Sequence, residues 1–281
     1  MPILPTDFAF IGGSSTLSIN IPNDLQLDFV QVLDNNITFT TPFGNSPPFK
    51  RLLIQSETGN KTVLTCRMHG WRQGVTRDIA SKQIFWVFKE AKVKKIIAEG
   101  GVGAINYLLD PRDVVIAHDY MDFSVRKDVG LDDKYLLIMR EAICPEMSKS
   151  LFALFNNKWH RGKVFNRGIY VNTDGRHFES PAEIMAFKQM GGDIVGQSIC
   201  PEVYLAREIG ACYAGVYIVV NYAEGIVTPW QHAELSDIFY KESINLGKLM
   251  FEFIRNLPID SSCQCNNLRK ETLLKEVYEE E

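Results

Sequence analysis

The stretch from Tyr170 to Glu202 constrains the fold more than any other part of this sequence. It predicts a short strand over Tyr170–Asn172, a helix over Ala182–Met190 and a second strand over Asp193–Val195, with polar turns between them. Strands that alternate with helices are typical of α/β domains. In open sheets of this class, ligands bind beyond the strand ends.

The start of the predicted helix carries its own signals. Ser180 stands immediately before Pro181, and Glu183 follows three positions after the serine. This is the pattern of an N-cap with proline at the first helical position and a capping box. We therefore assign Glu183 a structural role.

Each predicted strand is followed by a polar cluster. Phe178 and Glu179 follow the first strand, and Gln197 and Ser198 follow the second. We expect the two clusters to face one pocket.

Composition excludes several classes of protein. The chain has 281 residues, 46% hydrophobic and 23% charged, and a net charge of −4. Nothing in this balance indicates a nucleic-acid partner. The N-terminal apolar run lacks a preceding basic region, and no apolar run approaches the roughly 20 residues that span a membrane. We therefore expect a cytoplasmic protein with no membrane partner.

The six cysteines divide into two groups. Four stand in apolar or strand-like settings that predict buried free thiols, namely Cys66, Cys144, Cys200 and Cys212. Cys263 and Cys265 lie in a polar tail and form a candidate redox pair. No histidine or second cysteine pair with zinc-ligand spacing stands near them, so we predict no metal site.

Two further strand ends offer anion-binding chemistry. The run Phe8–Ile11 leads into Gly-Gly-Ser-Ser, whose small residues suit close approach of backbone amides to an anion. The run Thr62–Cys66, the second strand of a predicted hairpin, leads into Arg67 and His69. If these two side chains point the same way, they form an anion clamp; the alternative is a solvated basic corner.

The sequence contains no convincing nucleotide-binding fingerprint. The run Glu99–Gly103 after the predicted strand Val93–Ala98 lacks a third glycine and a following helix, and there is no P-loop. With no repeat or linker, we predict one α/β domain over residues 1–260. Residues 261–281 form a tail with the cysteine pair and a charged helical piece, Leu268–Glu281.

Taken together, these motifs resemble one family over Phe8–Pro258. The chain resembles the trimeric purine nucleoside phosphorylases and the related methylthioadenosine phosphorylases. The resemblance is carried by Ile11–Ser14, Thr41–Gly44, Arg67–His69, Gly175–Glu183, Gly196–Ser198, Pro201–Val203, Ala214–Asn221 and His232.

This resemblance implies a fold and a reaction. The fold would be an α/β domain with a central mixed, partly barrel-like sheet surrounded by helices. The reaction would be phosphorolysis of a purine nucleoside, with inorganic phosphate as co-substrate and no cofactor. The assembly would be a homotrimer or a dimer of trimers.

The resemblance also implies residue roles on the phosphate side. The phosphate would be bound by Ser14, Arg67, His69 and Ser198, and backbone contacts would come from Gly100 and Gly101. Two hydroxyls and two basic side chains can encircle a dianion.

On the base side, Glu179 would accept from purine N1–H, Asn221 would bind N7 and O6, and Phe178 would pack on the ring. The methylthioadenosine enzymes have serine and aspartate where this chain has Glu179 and Asn221. An amide can donate to O6, whereas an aspartate suits a 6-amino group. We therefore predict 6-oxopurine nucleosides as substrates, with Asn221, Glu179 and His69 as the catalytic residues.

The sugar side departs from the family pattern. His232 would bind the ribose 5′-hydroxyl, but Gln197 replaces a methionine beneath the ribose. Trp71 replaces a tyrosine, and Asn45 replaces a histidine near the phosphate. Two alternatives therefore stay open. One is a methylthioadenosine or methylthioinosine phosphorylase, and the other is a non-catalytic nucleoside-binding relative.

Overall fold

Five α-helices and fifteen strands form in residues 2–126, 129–260 and 262–272, which the computed structural model describes. The helices are α1 (Arg77–Glu90), α2 (Pro145–Lys158), α3 (Pro181–Gln189), α4 (Ile199–Ile209) and α5 (His232–Asn256). Each is either too short or too polar to cross a bilayer.

Eleven of the strands form one mixed sheet. The strands in chain order are β1 (Phe8–Ile11), β2 (Val30–Ile37), β3 (Thr40–Thr41), β4 (Gly44–Asn45), β5 (Phe49–Ile54), β6 (Lys61–Cys66), β7 (Lys95–Ala104), β8 (Val114–Val115), β9 (Asp119–Asp122), β10 (Tyr135–Leu137), β11 (Val164–Phe165), β12 (Ile169–Asn172), β13 (Ile194–Gly196), β14 (Cys212–Tyr222) and β15 (Arg269–Glu271). The main path runs β11-β8-β14-β7-β1-β6-β5-β2, and β9, β12 and β13 branch from it.

The branch starts at β7, the ten-residue strand at the centre of the sheet. Strands β1 and β14 flank it in parallel, and β13 pairs antiparallel with its last two residues. The sequence predicted that the chain leaves the strand after Ala98. That prediction is wrong, because Glu99–Gly103 continues β7 through its glycines.

The unit around residues 170–202 forms as predicted. Strands β12 and β13 lie side by side in parallel, with Tyr170 opposite Ile194. Helix α3 connects them, and Ser180 and Glu183 form the capping box. The hairpin of β5 and β6 is also confirmed.

The core lies mainly on the two faces of the central strands. Phe8, Phe10, Tyr217 and Phe251 are among its largest fully buried side chains. A smaller apolar cluster joins α3 to β12 and β13. The predicted single α/β domain with a mixed sheet is confirmed.

Strand β9 had no counterpart in the sequence prediction, and one segment differs from it. Residues 119–122 form this strand and pair in parallel with β12. The tail was predicted to be helical from Leu268, but Arg269–Glu271 forms β15 and pairs antiparallel with β10. The strand forms because β10 offers it an unpaired edge. Residues 273–281 of the predicted helix lie outside the described part of the chain.

Candidate active site

A cavity of about 410 Å³ opens at the ends of β7, β13 and β14. It brings together most of the residues selected from the sequence. Its lining includes Ser14, His69, Trp71, Gly101, Phe178, Glu179, Gln197, Ser198 and Asn221. The expectation that the two polar clusters of residues 170–202 face one pocket is confirmed.

One wall is built from the turn after β1 and the glycines of β7. The hydroxyl Oγ of Ser14 accepts a hydrogen bond from the Gly101 amide at 3.1 Å. A Cβ on Gly101 would lie 2.8 Å from Phe239 and 3.0 Å from the Ser14 oxygen. A side chain at this position would therefore clash, and glycine is required for the close approach.

His69 is held in this wall by a buried carboxylate. Its Nδ1 atom lies 2.7 Å from Oε1 of Glu202, and both side chains are nearly inaccessible to solvent. The other oxygen of Glu202 accepts from the hydroxyl of Tyr213 at 2.8 Å. The pairing of Nδ1 leaves Nε2 for a ligand. Nε2 lies against the turn at Gly13, where an added Cβ would come within 2.7 Å of it.

Ser198 completes the polar side of the cavity. Its hydroxyl and the Tyr170 hydroxyl lie 3.3 Å apart, and its amide donates to the same phenol. Burial raises the pKa of Tyr170 to about 12, so the phenol stays protonated at neutral pH. Ser198 also lies close to Gly100 of β7.

A fully buried carboxylate supports the turn from beneath. Glu99 of β7 accepts hydrogen bonds from the Gly13 amide and from the amide and hydroxyl of Thr16. Burial nevertheless raises the pKa of Glu99, because desolvation outweighs these hydrogen bonds. The carboxylate fixes the turn that presents Ser14.

The opposite wall carries a carboxylate and an amide. Oε1 of Glu179 accepts from the hydroxyl of Thr173 at 2.6 Å, and the side chain is 5% exposed. The side-chain amide of Asn221, also 5% exposed, donates to the carbonyl of Tyr222 at 2.7 Å. Both groups keep hydrogen-bonding capacity for a ligand.

A β-bulge places Asn221 in this wall. Along the pairing of β14 with β7, Val219 lies opposite Val102, but Asn221 lies opposite Gly103. Val220 is thus the extra residue, and a bulge of this kind changes the direction of the following side chain. A Cβ at Gly103 would lie 3.2 Å from Val195 and in ordinary contact, at 3.4 Å, with the amide nitrogen of Asn221.

Apolar groups close the cavity on two sides. The half-exposed ring of Phe178 packs against Trp230, with the ring centroids 4.6 Å apart. Leu235 and Phe239 of α5 contribute a second apolar surface. The cavity therefore combines polar surfaces with aromatic and aliphatic walls.

The amide of Gln197 is already bound by the protein. Its Oε1 accepts from Arg77 at 2.9 Å, and its Nε2 donates to the carbonyl of His177 at 3.1 Å. Arg77 in turn stacks on Trp71, 3.8 Å from the ring centroid. Gln197 therefore fixes Arg77 and the loop at His177, and its contact with a sugar stays a prediction.

Two of the predicted site residues do not line the cavity. Arg67 is exposed and donates to the carbonyl of Leu17, beside a separate cavity of about 220 Å³. Arg67 and His69 diverge because the chain turns at Met68, where both Met68 and His69 have positive φ. Of the two alternatives left open for this pair, the shared direction is not found, since His69 lines the cavity and Arg67 does not. The phosphate-binding role of Arg67 stays a prediction.

His232 is the second predicted site residue that does not line the cavity. It is exposed at the first turn of α5, where its Nδ1 atom lies 3.4 Å from the hydroxyl of Ser236. The same helix presents Leu235 and Phe239 to the cavity instead. Asn45, which also departs from the family pattern, is exposed and does not line the cavity.

Sequence reasoning missed the residues that position the site. No local pattern gave a role to Glu99, Glu202 or Tyr170, and their partners lie up to 133 positions away along the chain. A carboxylate inside an apolar strand, as at Glu99, was the one usable signal, because buried charges are retained only with partners.

The structure places two further cysteines beside the pair in the tail. The sulfur atoms of Cys144, Cys212, Cys263 and Cys265 all lie within 4.8 Å of one another, so the four residues could hold a metal ion. The prediction of no metal site considered only neighbours in sequence, whereas Cys144 and Cys212 are distant from the tail in sequence but adjacent to it in space. The four cysteines predicted to be buried, Cys66, Cys144, Cys200 and Cys212, are buried.

The fold and cavity agree with comparisons to known proteins. The family described as the phosphorylase superfamily matches residues 25–255. The 6-oxopurine nucleoside phosphorylase of Pyrococcus furiosus is 31% identical over 93% of this chain and 97% of its own length. A relative in Methanopyrus kandleri, named a probable S-methyl-5′-thioinosine phosphorylase, is 36% identical over 82% of this chain and 89% of its own.

Solved structures give the same answer for the fold. The methylthioadenosine phosphorylase of Schistosoma mansoni in complex with adenine superposes with a TM-score of 0.75 at 21% identity, covering 94% of this chain and 98% of that one. Since both the sequence match and the fold extend over most of the chain, it belongs to the phosphorylase superfamily, a family of enzymes.

Proposed function

We propose that this enzyme is a purine nucleoside phosphorylase that cleaves 6-oxopurine nucleosides, such as inosine and guanosine, with inorganic phosphate. One observation carries the proposal. A single cavity places Glu179 and Asn221 on one wall and Ser14, His69 and Ser198 on the other. The first pair suits a purine that donates at N1 and accepts at O6 and N7.

The base would leave with negative charge on N7 and O6. The amide of Asn221 would stabilise that charge in the transition state, while Glu179 holds N1–H. Such electrostatic stabilisation acts where charge develops, in a site shielded from water. The burial of both groups supports this role.

Phosphate would bind between the Gly13–Ser14 turn, Nε2 of His69 and the hydroxyl of Ser198. It would then attack C1′ as the bond to the base lengthens, giving free base and a pentose 1-phosphate. The hydrogen bond that His69 makes to Glu202 and the hydrogen bonds between Ser198 and Tyr170 would keep these groups in place before phosphate arrives.

The proposal needs no cofactor besides phosphate as co-substrate. We also propose that the enzyme acts in purine salvage in the cytoplasm and assembles as a homotrimer, and these parts rest on the family resemblance. The segment Phe123–Tyr135, of which residues 127 and 128 lie outside the described part, would close a neighbouring subunit's site. The exposed side chains of Phe123 and Val125 support this.

A second candidate substrate is favoured by one observation. Leu235 and Phe239 line the cavity, whereas His232 on the same helix does not. An apolar surface suits a 5′-methylthio group better than a 5′-hydroxyl. Phosphorolysis of methylthioinosine is therefore the alternative, and Glu179 and Asn221 would recognise its 6-oxopurine base in the same way.

Base release separates these possibilities. The protein would be incubated with inosine, guanosine, adenosine, methylthioadenosine and methylthioinosine, each with and without phosphate. We expect phosphate-dependent release from the 6-oxopurine nucleosides. No release from any substrate would contradict both proposals, and release without phosphate would indicate a hydrolase. The ratio of kcat/KM for inosine and methylthioinosine decides between the two substrates.

A further inference from the structure

Four cysteines converge far from the nucleoside cavity. Cys144 stands at the N-cap of α2, Cys212 begins β14, and Cys263 and Cys265 come from the tail. Their sulfur atoms lie within 4.8 Å of one another. Since Cys212 and Asn221 are nine residues apart on one strand, about 30 Å separates this cluster from the base-binding wall.

We propose that Cys144, Cys212, Cys263 and Cys265 bind one Zn²⁺ ion through four thiolates in a tetrahedral structural site.

The distances fit this geometry. A Zn–S bond of about 2.3 Å places tetrahedral sulfurs about 3.8 Å apart, within the observed limit. The sulfurs of Cys212 and Cys263 lie 3.3 Å apart, a non-bonded contact longer than the S–S bond of about 2.05 Å. All four atoms are mutually close, as one central ion requires.

The ligand chemistry selects the ion. Four thiolates are soft ligands, and a tetrahedral S₄ set is typical of zinc or iron. Binding of one Zn²⁺ by four thiols releases four protons and leaves a complex of net charge −2. A closed set of four protein ligands has no open position for a substrate, so the site is structural.

Buried cations lie beside the cluster to balance that charge. Arg207 donates from Nη1 to the carbonyl of Cys265 at 3.0 Å, and it is 2% exposed. Lys95, 1% exposed, is the β7 residue opposite Cys212, and it donates to the backbone carbonyls of Pro258 and Asp260, just before the tail. Within the described residues, neither forms an ion pair with a carboxylate. The N-terminus of α2 adds a favourable dipole at Cys144.

The backbone holds the four sulfurs in place. The amide of Cys144 donates to the carbonyl of Tyr213 at 2.8 Å, which keeps Cys144 next to Cys212. The tail after Cys265 is bound through the Leu268 carbonyl, which accepts from Ile138 at 3.0 Å. An ion at this position would join α2, the sheet and the tail.

Metal content tests the proposal directly. The full chain would be expressed with zinc, purified under anaerobic reducing conditions and analysed by elemental mass spectrometry together with thiol titration. We expect about one zinc per chain, lost on prolonged chelation with a fall in Tm. Co²⁺ in place of zinc should give the intense visible bands of a tetrahedral thiolate complex.

Variants identify the ligands. The double variant Cys263→Ser/Cys265→Ser and the single variant Cys144→Ser should each lose the zinc or bind it at least tenfold more weakly. Cys66→Ala is the matched control, since it removes a buried cysteine outside the cluster and should keep the ion. The wild-type metal content stands as a test even if a variant fails to fold.

Three results would overturn the proposal. One is a reduced protein with four titratable cluster thiols and no zinc after incubation with Zn²⁺. Another is the recovery of disulfides among the four cysteines from protein handled anaerobically. The third is zinc content unchanged in the cysteine variants, or iron found in its place.

Discussion

Nδ1 of His69 lies 2.7 Å from Oε1 of Glu202, and the second oxygen of that carboxylate is 2.8 Å from the Tyr213 hydroxyl. The carboxylate thus accepts from two donors, one on each oxygen. A glutamine at 202 has a single acceptor oxygen, so one of the two donors would face an amide N–H.

We therefore expect Glu202→Gln to release the His69 ring from its orientation and to raise the KM for phosphate about tenfold or more. Leaving one buried group unpaired should also cost about 1–3 kcal/mol of stability. Steady-state kinetics and denaturant unfolding measure the two effects.

Tyr213→Phe provides the control. In the double variant Glu202→Gln/Tyr213→Phe, the single acceptor serves His69 alone, so we expect partial recovery of phosphate affinity. No recovery would show that the negative charge of Glu202, rather than its acceptor geometry, supports phosphate binding.

Two adjacent serines give a matched pair for the phosphate wall. Ser14 lines the cavity, whereas its buried neighbour Ser15 does not. Ser14→Ala should lower kcat/KM for phosphate on the order of a hundredfold to a thousandfold, the range for loss of one oriented donor. Ser15→Ala should leave it within about threefold. Equal effects from the two would indicate that the turn, and not the hydroxyl, is required.

The amide of Asn221 should read the 6-position of the purine. Asn221→Asp replaces the donor with an acceptor, so we expect the kcat/KM ratio of inosine to adenosine to fall at least tenfold. The ratio is measured in competition between the two nucleosides. An unchanged ratio would mean that another group contacts this position.

The buried carboxyl of Glu99 makes stability depend on pH. Burial raises its pKa above the ordinary value of 4.5, so the folded state favours the protonated form. Its contribution to stability is complete below that ordinary value and declines as pH rises through the folded-state pKa. Glu99→Gln should therefore become more stable relative to the wild type as pH rises from about 4.5 to 8.

Glu183→Gln is the control with the opposite sign. Hydrogen bonds from the backbone and hydroxyl of Ser180 lower the pKa of Glu183, so its contribution is present at neutral pH and lost as pH falls. Glu183→Gln should lose stability relative to the wild type most at neutral pH. Parallel pH curves for the two variants would contradict at least one of the two assignments.

The parts of the fold that the sequence predicted are those set by local chemistry. The capping box at Ser180 and the hairpin of β5 and β6 depend on residues a few positions apart. The glycines at 100, 101 and 103 were placed beyond the end of the predicted strand, because nothing local shows that β7 continues through them. The groups that approach these positions come from other elements, namely Ser198, Phe239 and Asn221.

The sequence predicted a site residue correctly where its position at a strand end also decides that its side chain reaches the cavity. Glu179, Ser14 and Ser198 follow strands and line the cavity, and Asn221 lines it from the end of β14. Arg67 follows a strand too, but the left-handed turn at Met68 diverts the chain beyond it. Such a turn at a methionine has no clear sequence signal, since positive φ is strained for long side chains.

The extra residue at Val220 has a consequence for comparing relatives. Because β14 carries one residue more than β7 along this pairing, the position that faces the base is fixed by counting from the bulge. A relative without that residue aligns through this strand only with a one-position gap. An ungapped alignment would assign its substrate preference from the wrong side chain.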